Sequence, residues 1–139
     1  MDSVSFIQQA KQAATAILHT APTTIATIEN LARRLLCFHF TPAVRAVTEF
    51  RVYGRAHADA PLQDFTPADW ATLPSGGRIR ETSVNTTATG AVVDGDLDTV
   101  ATTENGYFMM DIDGLVEIVV KAQGTTDGTG TVASFWSLQ

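Results

Sequence analysis

The chain has 139 residues, 45% of them hydrophobic and 17% charged, and a net charge of −6. That is one domain's length, with enough apolar material for a core and too little charge for a disordered chain. No apolar run approaches the roughly 20 residues of a membrane-spanning helix, and the lone Cys37 excludes an internal disulfide.

The charge is unevenly spread. Residues 1–80 carry eight bases and six acids, and residues 81–139 carry one base, Lys121, and nine acids. An acidic half repels a phosphate backbone, and the other half has no basic run, so neither nucleic acid nor a membrane is expected as a partner. The start "MDSVSFIQQAKQ" has no basic region leading into an apolar segment. It does not read as a secretion signal, and synthesis in a host cytoplasm is expected.

Two helices are predicted first. Val4, Ile7, Ala10, Ala14, Ile17 and Leu18 recur at three- and four-residue spacing, with Asp2 or Ser3 as cap. After Pro22, Ile25, Ile28, Ala32, Leu35 and Leu36 repeat that spacing, with Thr23 or Thr24 as cap. Pro42 closes the region. Residues 1–42 are therefore expected to be a helical arm, and residues 43–139 an antiparallel β-sandwich or jelly-roll-like module.

Within that module "VTEFRVYGRA" alternates as a strand, with Val44, Ala46, Thr48, Phe50 and Val52 on one side. A Pro-, Gly- and Asp-rich loop follows, with one helical turn expected at residues 66–69. "RIRETSV" is the next strand, and residues 86–106 read as short strands broken by Gly and Asp. In "NGYFMMDIDGLVEIVVKA", Phe108, Met110 and Ile112 alternate before Asp113-Gly114, and Val116, Ile118 and Val120 after it. Asp-Gly is tight-turn chemistry, so a core hairpin is expected with those six residues pointing inward. A Gly/Thr loop precedes a last strand, "TVASFWSLQ".

Candidate chemistry is sparse. His19, His39 and His57 share no metal-type spacing. Cys37 shares a face with His39 only if "LLCFHF" is a strand, and it is read as a buried apolar thiol. Asp94, Asp96 and Asp98 in "DGDLD" place three carboxylates at alternate positions, as calcium loops do, and Asp111 and Asp113 are candidates to join them. The EF-hand pattern fails, since Thr99 stands where that loop has Gly and Asn105 where it has Glu. The competing reading is a solvated turn. Tyr107 and Trp136 are expected on exposed faces, available to a sugar or a protein partner. No positioned acid, base and nucleophile set is evident, so an enzyme is not expected, nor a cofactor beyond the calcium candidate.

The segment from Asn105 to the end resembles β-sandwich modules of tailed-phage virion proteins. The resemblance rests on an extended strand at 107–112, the Asp113-Gly114 corner, a Val-rich strand at 115–122, a Gly/Thr loop at 125–130 and a final Thr-Val strand at 131–138. It implies a virion structural protein of the capsid decoration (cement) type, bound to the major capsid protein or another virion protein and assembled as a homo-oligomer, with a trimer among the forms considered. The alternative is a carbohydrate-binding or host-recognition module of a tail fibre. The helical arm is expected to serve that assembly.

Overall fold

The computed structural model describes residues 8–125 and 129–139. Ten strands run in chain order: β1 (Gln8–Ala16), β2 (Thr23–Glu29), β3 (Leu35–Ala43), β4 (Val47–Arg55), β5 (Gln63–Asp64), β6 (Ile79–Thr86), β7 (Val92–Asp94), β8 (Glu104–Asp111), β9 (Glu117–Gly124) and β10 (Thr131–Leu138). They form two antiparallel sheets, one of six strands ordered β1-β10-β3-β8-β6-β7 and one of four ordered β2-β9-β4-β5. No helix occurs among the described residues, so none there is long and apolar enough to cross a membrane.

The sandwich is as expected, and the helical arm is not. Residues 8–43 supply three strands, and the Pro42 boundary falls inside β3. The caps assigned to Asp2 and Ser3 lie outside the described residues. Five of the seven residues in β2 (TTIATIE) are Thr or Ile, whose branched Cβ atoms favour a pleated backbone. The helix-like spacing has two local causes. A register shift between Thr24 and Ala26 turns both Ile25 and Ala26 inward. A tight turn with Ala32 at φ 62° then separates β2 from β3. Beyond it Leu36, Phe38 and Phe40 are buried at alternate positions, the period of a strand.

The segment around Asp113-Gly114 is not a hairpin. β8 pairs with β3 and β6 in the larger sheet, and β9 pairs with β2 and β4 in the smaller one. The turn is closed by the Leu115 N–H donating to the Ile112 carbonyl at 3.0 Å. Gly114 sits at φ 82° while Asp113 keeps a negative φ. A type I′ hairpin turn needs both central residues at positive φ; one positive angle at the second centre is type II, which splays its flanking strands. The chain therefore arches from one sheet to the other. Phe108, Met110, Ile112, Ile118 and Val120 are fully buried as expected, but Val116 is exposed, because Leu115 takes the inward place after the turn.

The core between the sheets is aromatic. The Phe40 and Phe50 rings stack at 4.3 Å between centroids, and Phe38 stacks on Phe108 at 5.2 Å. Trp70, from the long loop after β5, is buried and its indole N–H donates to the Phe50 carbonyl at 2.9 Å. Gly106 is required here, since a Cβ on it would collide with the Phe40 ring. The helical turn expected at residues 66–69 does not form. Instead the Thr66 hydroxyl accepts the Val52 N–H at 2.9 Å, extending the β4 edge.

Candidate functional site

Strand alternation sends every second side chain of the six-stranded sheet away from the core. Register then decides which of those side chains meet. Lys11 on β1 is opposite Phe135 on β10, Phe135 is opposite His39 on β3, His39 is opposite Tyr107 on β8, and Tyr107 is opposite Ser83 on β6. Three rings, Phe135, His39 and Tyr107, thus stand in line across the outer face. The next row is Gln9, Ser137, Cys37, Met109 and Glu81. Charge is confined to the two flanks, Lys11 and Glu81.

Within this array His39 and Tyr107 are 4.6 Å apart between ring centroids, tilted by 44°. Phe135 is 44% exposed, an unusual cost for an aromatic ring. Burial of its inner edge lowers the His39 pKa, which keeps the imidazole neutral at pH 7. Burial, reinforced by a hydrogen bond with Cys37, pushes the Tyr107 phenol up to about 12. A cavity of about 470 Å³ opens beside the row, lined by Gln9, Lys11, Cys37, His39, Phe135 and Ser137 among others. Its chemistry is that of an aromatic shelf with amide, hydroxyl and thiol groups and the Lys11 ammonium at the rim.

Cys37 is half-buried on this outer face rather than in the core. Trp136 is also displaced from expectation. It points inward and stacks on Phe38 at 5.9 Å, with its margin half-exposed, and its neighbour Phe135 is the exposed ring. The signal for this site is the period of two through residues 35–40, which the helical reading obscured.

Asp94, Asp96 and Asp98 spend their carboxylates on backbone amides. Asp94 accepts the Asp96 N–H and Asp96 accepts the Asp98 N–H, each at 3.0 Å, and Asp98 accepts the Phe50 N–H at 2.8 Å. The first two are Asx turns that fold the segment after β7, and the third ties that segment to β4. Asp111 accepts the Asp113 N–H at 3.0 Å and pairs with Arg80 at 3.3 Å, and these contacts hold its pKa below the usual carboxylate range. Among the described residues no group of three or more His, Cys, Asp or Glu side chains is placed to hold a metal ion. His19 lies between β1 and β2, and His57 is an exposed loop residue that accepts the Asp59 N–H at 3.0 Å.

Around Asp111 and Asp113, two side chains fasten the arch between the sheets. The Arg78 guanidinium donates to the Asp111 and Asp113 carbonyls at 3.1 and 3.0 Å. Buried Asn30 donates to the Leu115 and Arg33 carbonyls at 2.8 and 3.0 Å and accepts the Arg33 N–H at 2.9 Å.

No family model matches the chain, and no curated protein matches it. A solved structure, that of the SPBc2 prophage-derived protein YomS, is similar over the whole of both chains, with 11% identity and a TM-score of 0.50. At that identity the likeness is one of fold alone.

Proposed function

We propose that this protein is a structural component of a phage virion, a capsid decoration protein that acts by docking and performs no catalysis. The observation that carries the reading is the neutral aromatic row on the outer face of the six-stranded sheet. Drying such a face costs little, whereas drying charged groups costs much. Its side chains project from paired strands over an aromatic core, so little conformational freedom is lost on docking. The name of the solved protein that shares the fold, prophage-derived, supports a phage origin. The major capsid protein is the partner this reading assigns.

The test is co-sedimentation with shells assembled from the major capsid protein of the same virion. The protein should pellet with shells, and Phe135→Ala should weaken that binding at least tenfold, as loss of a central aromatic contact does. Failure of the unsubstituted protein to bind shells would overturn the reading.

The same row favours one second reading, host-glycan recognition by a tail-fibre module. Strands about 4.8 Å apart place successive rings at a spacing that sugar rings can stack on. Pelleting with host-cell envelopes rather than shells, lost in Phe135→Ala, would select it.

A further inference from the structure

The four free edges of the two sheets differ. β7 and β5 have three and two residues, too short to template another strand. β2 has seven, carries Glu29 at its end and is broken by the shift between Thr24 and Ala26. β1 has nine, and all but one of its positions are exposed. Among the described residues it pairs with β10 on one side only, and it meets the smaller sheet only through limited contact with β2. Its sequence, QQAKQAATA, has no proline, no acid and a single lysine. Apart from Lys11 and the register shift after Gln12, it lacks the devices that keep natural edges from pairing, and Gln8 to Gln12 runs without interruption.

We propose that β1 is an interface: its regular part, Gln8 to Gln12, pairs antiparallel with the same segment of a second copy of this chain, about a two-fold axis at Ala10. This goes beyond the virion reading and stands or falls separately from it.

Three observations select a second copy as the occupant. The partner must be a free strand of comparable length, and β1 is the longest free edge among the described residues. The segment is also self-complementary. With Ala10 opposite Ala10, Gln9 faces Lys11 and Gln8 faces Gln12, so no like charges meet. The register shift between Gln12 and Thr15 bends the strand and ends the pairing there. Finally, Trp136 is opposite Ala10 and is only partly buried against the core, with a methyl group all that β1 offers beside it. A second copy paired beyond β1 extends the sheet past that ring. Pairing one strand with itself closes the assembly at two, whereas pairing β1 with β2 of another copy would give a ring or an open filament.

Sedimentation equilibrium of the full chain should give a dimer. Ala10→Lys sets two ammonium groups face to face and should raise the dimer dissociation constant at least tenfold, while Ala10→Ser should leave it unchanged. In a Cys37→Ser background, Ala10→Cys should form a disulfide-linked dimer on oxidation, because directly opposed residues lie within disulfide reach. Ala16→Cys in that background should not, its two copies being tens of ångströms apart in this register. Circular dichroism checks that each variant is folded. A monomer at every concentration, a trimer, or a dimer indifferent to Ala10→Lys and uncrosslinked by Ala10→Cys would each overturn the proposal.

Discussion

On the four-stranded sheet the side chains facing solvent include Glu29, Arg51, Arg55, Glu117 and Lys121, and many of them are matched in sign. Arg55 meets Glu117 at 3.0 Å, Arg51 meets Glu49 at 2.6 Å, and the Lys121 ammonium lies 5.1 Å from the centre of the Tyr53 ring. On the six-stranded sheet the corresponding positions hold Phe135, His39, Tyr107, Cys37, Met109 and Ser137. Both faces arise from the same alternation over one core. What differs is the cost of removing water. Most charged groups on the first face already have partners, so a ligand there gains little. The second face is the one whose contact with water is a standing cost, and that is why binding is assigned to it.

Substitution beneath both faces should break the comparison altogether. Ile118 is fully buried between the sheets. Ile118→Ala should cost about 2–5 kcal/mol, read from the urea unfolding midpoint, and should loosen both faces together. Gly106→Ala should be destabilising as well, because the added methyl meets Phe40 and the stacked rings have no space to yield. A mild effect from Ile118→Ala would mean that the two sheets do not share one packed core.

The next effect down tests how the faces are held in relation to each other. Asn30 joins the turn after β2 to the arch between β8 and β9, and its side chain is the buried partner of four backbone groups. Asn30→Ala removes the side-chain partner of all four, of which the Ile112 carbonyl keeps the Leu115 N–H, and should cost about 1–3 kcal/mol. Hydrogen exchange should rise at the Leu115 and Val116 amides first. Unchanged exchange there would show that Arg78 alone fastens the arch.

The same two regions show what was legible in the sequence. β6, β8, β9 and β10 follow from period-two patterning, since each has one face on the core, and so does β4 from Phe50 on; ahead of it a register shift buries Val47 and leaves Val44 and Thr48, expected inside, exposed. The arch did not follow, because Asp-Gly serves a type I′ hairpin and a type II corner equally well, and pairing partners far away in sequence choose between them. Residues 8–43 were misread for two separate reasons. β1 has no buried face to impose a period, so its Ala and Gln content favoured helix. In β2 and β3 a bulge and a positive-φ turn at Ala32 interrupted the alternation and imitated helical spacing. The candidate site depends on register across β1, β10, β3 and β8, strands whose partners lie as far apart in sequence as Lys11 and Phe135. Nothing local in "LLCFHF" or "ASFWS" records that Phe135, His39 and Tyr107 line up.

Smaller effects should separate the faces directly. Glu117→Gln removes the charged partner of Arg55 from a half-buried pair and should cost about 1 kcal/mol, with a cost that shrinks as salt is added. Phe135→Ala should change stability by a similarly small amount with no salt dependence, while its effect on binding remains large. If Phe135→Ala instead destabilised the fold as much as a core truncation, the ring would be a packing element and the aromatic row would lose its role.

The smallest effect is a pH dependence confined to the aromatic face. His39 is packed against Tyr107 and Phe135, with Cys37 beside it on β3 and Lys11 one strand further out. None of these carries a negative charge to favour an imidazolium, and burial lowers the His39 pKa from its ordinary 6.5. The folded state therefore binds this proton less readily than the unfolded chain does. As pH falls below 6.5 the unfolded state gains the proton first, and stability declines until pH passes the folded pKa. His19 and His57 lie outside this ring packing. His39→Gln should flatten this part of the stability profile, and the His39 ring proton, followed by NMR, should titrate below 6.5. A His39 titration at or above 6.5 would show that the imidazole is solvated, and that the three rings do not form a dry shelf.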